Sequence, residues 1–289
     1  MMRSFFITAA TLAVAGTTAA AEVNYANAFA KYHDLDAGGA STDLTVYGGA
    51  IEFGTGAWTF SGEIGVFDLE GNDLTTFSVG GEYAFSNGFS LGLDHARIDI
   101  DGFSADFDLT SIYGYYDFGD YALGLSVGDG DDLDDPVVSI FGTWDVTPTG
   151  RLGLDIMEIE DETLVAGYAD YQADAYEIGA TLLSTDGLDV FAVSGAYNFN
   201  NGLSIIGSLG TADLIGNDLT SVSIGGAYEF APGVSAELSV GRLSAGGGAD
   251  IDVVTFGLQY ETGRKTTSRR SLTNVINHAT GNIVGLSSF

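Results

Sequence analysis

From residue 22 to 261, large apolar side chains recur at every second position, the period of a strand with two unlike faces. Along Thr75–Phe85, Phe77, Val79, Tyr83 and Phe85 share one face, while Thr76, Ser78, Gly80 and Glu82 share the other. Ser86-Asn87-Gly88 then reverses the chain, and Phe89, Leu91 and Leu93 alternate with Ser90, Gly92 and Asp94. The same hairpin recurs around Asn200-Asn201-Gly202, between Val190–Phe199 and Leu203–Leu209, and around Ala231-Pro232-Gly233, between Val222–Phe230 and Val234–Val240. Aligned on these turns, the chain repeats itself every ~25–35 residues. The units open on Leu44-Thr45, Leu74-Thr75, Leu109-Thr110, Val137-Val138, Thr163-Leu164, Asp189-Val190 and Leu219-Thr220. Seven hairpins, with Val23–His33 before them and Val253–Glu261 after, predict about 16 strands (roughly 14–18, because Asp161–Ser184 alternates poorly), an even number suiting a closed up-and-down barrel.

The connections fall into two alternating classes. Gly54-Thr55-Gly56, Ser86-Asn87-Gly88, Gly119-Asp120, Thr147–Gly150, Asn200-Asn201-Gly202 and Ala231-Pro232-Gly233 are short. Asp34–Thr42, Asp68–Asp73, Asp99–Asp106, Gly128–Pro136, Thr211–Asp218 and Leu243–Asp252 read as longer loops rich in Asp and Gly. Short turns at one end and longer loops at the other match a membrane-spanning antiparallel barrel, with the short turns on the periplasmic side. The apolar faces, such as Trp58, Phe60, Ile64 and Val66, or Val254, Phe256, Leu258 and Tyr260, are continuous enough to meet lipid. The opposite faces, such as Thr59, Ser61 and Glu63, or Ser235, Glu237 and Ser239, are small and polar. Such faces would not fill the centre of a barrel of about sixteen strands, so a water-filled lumen is expected. Aromatic residues crowd beside the short turns: Phe53, Trp58, Phe85, Phe89, Phe118, Tyr121, Trp144, Phe199, Phe230 and Tyr260. Rings favour the lipid–water boundary, so these read as a girdle on one rim. A β-sandwich core rich in aromatics is the competing reading, and it does not account for the fixed offset of the rings from each turn.

Composition narrows the picture. The chain has 42 Gly, 3 Pro, no Cys and a net charge of −31. That much Gly disfavours long helices, since each interior Gly costs about 1 kcal/mol relative to Ala. The absence of Cys excludes disulfides and thiolate metal sites. An acidic chain is a poor nucleic-acid binder, because phosphate affinity rests on Lys and Arg. Arg3, the apolar Ser4–Gly16 and the small-residue run Thr17–Ala21 read as a signal peptide cleaved after Ala21, since the apolar run is shorter than the ~20 residues of a spanning helix. Three segments follow: a signal peptide over 1–21, the barrel over 22–261, and a basic extension over 262–289.

In its signal peptide, its mature start Glu22-Val23, its repeated strands Gly80–Phe85 and Gly225–Phe230 and its last strand Val253–Tyr260, the chain resembles the Gram-negative outer-membrane porins, particularly the short acidic alphaproteobacterial members. The resemblance implies the outer membrane as location, passive diffusion of small hydrophilic solutes as activity, and a homotrimer as a common assembly. Two features depart from the pattern. The third outer loop, Arg97–Asp106, is short, and residues 22–261 hold only Lys31, Arg97, Arg151 and Arg242 as bases, so no constriction opposing acids to bases is carried over. The extension 262–289 carries Arg264, Lys265, Arg269 and Arg270 and no acid. It reads either as a disordered periplasmic tail or as a cationic segment that enters the acidic lumen and partly occludes it.

Alternation directs Glu63, Glu82, Asp94, Asp145, Asp155, Glu229, Glu237 and Glu261 inward. Carboxylates lining a pore favour cations. Asp129, Asp131, Asp132, Asp134 and Asp135 invite a Ca²⁺ reading, but they lack EF-hand spacing and read better as a solvated acidic loop. A weaker version has Ca²⁺ or Mg²⁺ bridging the outer loops to lipopolysaccharide. No cofactor is expected. Catalysis finds little support: His33, His95 and His278 have no nucleophile motif beside them. The rival to transport is a structural, adhesive or receptor barrel acting through its acidic extracellular loops.

Overall fold

The structure, a computed structural model, describes residues 21–69, 72–100, 107–131, 133–214, 217–246, 249–263 and 265. These form sixteen antiparallel strands. They are β1 Glu22–Ala37, β2 Ala40–Thr55, β3 Trp58–Leu69, β4 Asn72–Ala84, β5 Phe89–Ile100, β6 Phe107–Asp117, β7 Tyr121–Asp129 and β8 Val137–Thr147. The second half comprises β9 Gly150–Ile159, β10 Glu162–Gln172, β11 Tyr176–Thr185, β12 Leu188–Asn198, β13 Leu203–Leu214, β14 Asn217–Ala231, β15 Val234–Ala245 and β16 Ala249–Gly263. Each strand pairs with its chain neighbours, and β1 pairs with β16, which closes the barrel. The seam runs unbroken from Tyr25↔Gly263 to Asp36↔Asp252. Closure leaves no strand edge, the condition for β structure inside a bilayer.

The two faces differ as the alternation requires. On β14, Val222 and Ile224 point outward, 53% and 62% exposed, whereas Ser221, next to Val222, is 3% exposed on the inner face. On β7, Tyr121, Leu123, Leu125 and Val127 face out, and Ala122, Gly124, Ser126 and Gly128 face in. Among the described residues, no helix is long and apolar enough to cross a membrane, a statement that does not bear on strands.

Two expectations need correction. Three of the stretches read as longer loops, Asp34–Thr42, Thr211–Asp218 and Leu243–Asp252, are largely strand, whereas Gly128–Pro136 is a loop beyond Asp129. β1 continues to Ala37 and β2 resumes at Ala40, across a turn at Gly38-Gly39. β13 and β14 likewise extend over much of Thr211–Asp218, and β15 and β16 over much of Leu243–Asp252. At these ends the ladder continues while carboxylates replace apolar residues, as in Asp213↔Asp218 and Asp36↔Asp252. The contrast between faces vanishes there although the hydrogen bonds do not. The poorly alternating Asp161–Ser184 forms β10 and β11 because small and large apolar residues stand on both sides, as in Leu182, 40% exposed, beside Leu183, 5% exposed.

The inner face is also less uniformly polar than expected. Leu109, Val137 and Met157 pack with Phe107, Leu133, Ile159 and Leu164, and Ala166, Leu183, Val190 and Ala212 pack with Leu164, Leu188 and Leu219. Leu44 and Val46 pack with Phe29, Leu35 and Phe67. Most of these residues lie near the acidic-loop end of their strands, making an apolar collar inside that mouth. Of the signal-peptide reading, residues 1–20 lie outside the described residues; β1 begins at Glu22. Residues 101–106 of the third loop and residues 266–289 of the extension also lie outside them.

Candidate functional site

The inner wall is built by a recurring device in which a glycine on one strand leaves a slot that side chains from the two flanking strands cross. Gly257 on β16 stands opposite both Lys31 on β1 and Glu237 on β15. Across it, Lys31 Nζ and Glu237 Oε1 lie 2.8 Å apart, with side chains 2% and 12% exposed. A Cβ on Gly257 would stand 2.7 Å from the Glu237 Cγ. Gly92 on β5 stands in the same way between Glu82 on β4 and Tyr113 on β6. The Tyr113 ring lies where a Gly92 Cβ would be, and its hydroxyl donates to Glu82 Oε2 at 3.2 Å. The Tyr115 hydroxyl donates to the other oxygen, Oε1, at 2.6 Å.

The eight acids expected to face inward share strand parity with buried residues such as Ala96, Met157, Ser221, Ser239 and Thr255, but their settings differ. Glu237 and Asp145 are ion-paired. Asp145 on β8 accepts from Arg151 on β9 through both oxygens, Nε to Oδ1 at 2.6 Å and Nη2 to Oδ2 at 3.0 Å. Glu82 is held by its two tyrosines. Glu229 caps its own turn, accepting the Gly233 N–H at 2.8 Å. Asp94 on β5 and Asp155 on β9 lie on other parts of the wall.

Glu63 on β3, Glu82 on β4 and Glu261 on β16 share one wall near the short-turn end with Glu52 on β2. Glu52 is 2% exposed and accepts from Asn24 Nδ2 at 3.4 Å. Glu52 was missed from the sequence, as were the inward Asp170 on β10 and Glu177 on β11. Parity alone would have found each, since Glu52 stands between outward Ile51 and Phe53, Asp170 between Ala169 and Tyr171, and Glu177 between Tyr176 and Ile178.

Outside, the aromatics of the short-turn end form a run of ring contacts from β2 to β5. Phe53 meets Phe60 at 5.3 Å, Phe60 meets Trp58 at 5.9 Å, Trp58 meets Tyr83 at 5.0 Å, and Tyr83 meets Phe85 at 4.8 Å. Phe85 meets Phe89 at 5.8 Å, Phe118 meets Tyr121 at 4.8 Å, and Tyr121 stands opposite Trp144. Phe199 meets Tyr197 at 4.9 Å, and Phe230 and Tyr260 are outward and exposed.

His95, adjacent to Asp94 in sequence, faces outward while Asp94 faces inward, and its Nδ1 lies 3.0 Å from Thr110 Oγ1. His33 is fully buried on the inner face, 2.8 Å from Thr255 Oγ1. His278 lies outside the described residues. In the candidate Ca²⁺ loop, Asp132 lies outside the described residues and the Asp131 N–H donates to Asp108 Oδ1 at 3.3 Å. Among the described residues, no group of three or more His, Asp or Glu could hold a metal ion.

The profile of the family described as Gram-negative porin matches residues 70–244. No curated protein matches the chain in sequence. Solved structures share the fold at low identity. OpdO of Pseudomonas aeruginosa is 11% identical with a TM-score of 0.50, the alignment covering 83% of this chain and 97% of that one. OccK11 (OpdR) of the same organism is 10% identical with a TM-score of 0.52, covering 83% and 95%. An engineered variant of the Rh. blastica porin is 17% identical with a TM-score of 0.51, covering 82% and 99%.

Proposed function

Because this chain belongs to the Gram-negative porin family and is an outer-membrane β-barrel channel, we propose that it passes small hydrophilic solutes by passive diffusion and prefers cations. The observation that carries the preference is the charge of the inner wall. The eight expected acids are joined by Glu52, Asp170 and Glu177, whereas the cations meeting them, Lys31, Arg151 and Lys265, each lie beside a carboxylate. Acids facing low-dielectric walls focus a negative potential that concentrates cations in the channel.

In this reading residues 1–21 are removed on export. The short-turn end with its aromatic girdle faces the periplasm, and the acidic-loop end faces outward toward lipopolysaccharide. Ca²⁺ or Mg²⁺ would link outward carboxylates at that end to lipid phosphates, since hard oxygen ligands suit both ions. A homotrimer is the proposed assembly.

Planar-bilayer recordings in a KCl gradient test the proposal. A reversal potential of the sign for K⁺ is expected, and one of the sign for Cl⁻ would refute cation preference. An absence of discrete channels would favour a structural or receptor barrel. Liposome swelling with sugars of graded size then sets the size limit for neutral solutes.

A further inference from the structure

The apolar collar inside the acidic-loop mouth runs further round the wall than its buried members alone. Val46 on β2 stands opposite Phe67 on β3, Phe67 opposite Leu74 on β4, and Leu74 opposite Ile100 on β5. Residues paired directly across a ladder share one face, so this row is inner. Across the barrel, Leu164 on β10 stands opposite Met157 on β9, and Leu243 on β15 opposite Ile251 on β16. Part of the collar meets the lumen. Ile100 is 38% exposed, and Leu69, opposite Leu44, is 44% exposed. They are as exposed as the lipid-facing Leu182 at 40%, yet they point inward.

Carboxylates stand on the short-turn side of this collar. Asp155 is the inner-face residue of β9 next to Met157, and Asp94 on β5 is next to Ala96, with Ile98 beyond it. Both acids are half-buried. The ladder neighbours of Asp155 are Phe141 on β8 and Ala166 on β10, a ring and a small apolar side chain. Successive inner-face residues of one strand lie about 7 Å apart, the span of a short alkylammonium. An inorganic cation is attracted by the acids and gains nothing from the collar. A solute that joins a cationic group to a short aliphatic chain meets both, because burying apolar surface is favourable in proportion to its area.

We propose that the outer mouth binds small organic cations carrying an aliphatic group, with the ammonium beside Asp155 or Asp94 and the chain along the collar. The solute class so named rests on the lumen being an open, cation-preferring path. An anion with the same chain meets the acids as a like charge, and a cation without the chain leaves the collar wet.

Block of K⁺ current by n-alkylammonium ions of two to six carbons, in bilayers holding the full chain, tests it. The half-blocking concentration should fall about twofold per added methylene, the effect of taking roughly half of a CH₂ out of water. Hexanesulfonate should block far more weakly than hexylammonium. L69S with I100S and L164S should flatten the dependence on chain length. The exposed pair L69S and I100S alone should lower its slope, and that variant spares the packed core if Leu164→Ser does not fold. D94N with D155N should weaken block by every member of the series by a similar factor and keep the slope. A half-blocking concentration independent of chain length, or a slope unchanged in the Ser variants, overturns the collar as the binding surface. Hexanesulfonate blocking as strongly as hexylammonium overturns the part given to the acids. Should no channels open, the diffusion reading fails by itself, and calorimetric titration of ethylammonium and hexylammonium into liposomes with and without the barrel reads the collar instead. Tighter binding of hexylammonium to the barrel then supports the site, and equal binding overturns it.

Discussion

The inner wall depends on residues that are absent as much as on those present. Lys31 and Glu237 meet over β16 because Gly257 has no side chain, and a Cβ at that position would stand 2.7 Å from Cγ and 2.9 Å from Cδ of Glu237. Gly257→Ala should therefore displace the pair and cost about 1–3 kcal/mol, the usual penalty of overpacking a tight site. Lys31→Met should cost more, about 3–5 kcal/mol, because it leaves Glu237 buried without its cation. Replacing both members by Met should recover most of that loss, since removing a buried pair together also removes both desolvation penalties. Urea unfolding of the reconstituted barrel, followed through Trp58 and Trp144, measures all three. A double variant no more stable than Lys31→Met alone would show that the pair is not the unit of stability. Parity in the sequence directs Glu237 inward, while Lys31 reads there only as a base. Their pairing does not follow from the sequence, because it joins strands that are not neighbours, through a glycine whose partners only the closed register reveals.

At the scale of the strand, two adjacent residues should behave as opposites. Ile224 is 62% exposed on the outer face of β14, and Ser223 beside it faces inward, 2.7 Å from Ser208 Oγ. Ile224→Arg should destabilise the barrel by about 2–4 kcal/mol near the membrane midplane. Ser223→Arg should leave folding largely intact and shift the reversal potential toward anions. Urea titration and bilayer recording on both variants check the pair, and equal effects of the two substitutions would contradict the register of β13, β14 and β15. This alternation is also what made most strands readable, because in Thr75–Phe85 each face has one character. It failed at the strand ends near Asp36, Asp213 and Asp252, where outward carboxylates replace apolar residues and the ladder continues without the contrast that marks it. It also failed to disclose the collar of Leu109, Val137, Met157 and Leu183, because apolar residues on both faces carry no period-two signal.

At the scale of the whole molecule, the outer and inner surfaces put opposite demands on one chain. The outer surface needs an unbroken apolar band with a rim of rings, and β2 to β5 supply the rings through contacts running from Phe53 to Phe89. The inner surface carries acids in excess, from the buried Glu52 and Glu82 to the half-buried Glu63 and Glu261. If that excess sets ion preference through its field, the preference must weaken as salt rises, because screening shortens from about 30 Å at 0.01 M to about 3 Å at 1 M. Reversal potentials measured at a fixed KCl ratio but increasing absolute concentration should therefore decline toward zero. The chain without residues 264–289 should start from a larger value at low salt, since it loses Lys265, which meets Glu63, along with three further bases, and converge with the full chain at high salt. A preference independent of salt would place selectivity in a local binding site rather than in the wall's field. Equal low-salt values for the two chains would mean that the basic segment does not reach the acids that Lys265 faces.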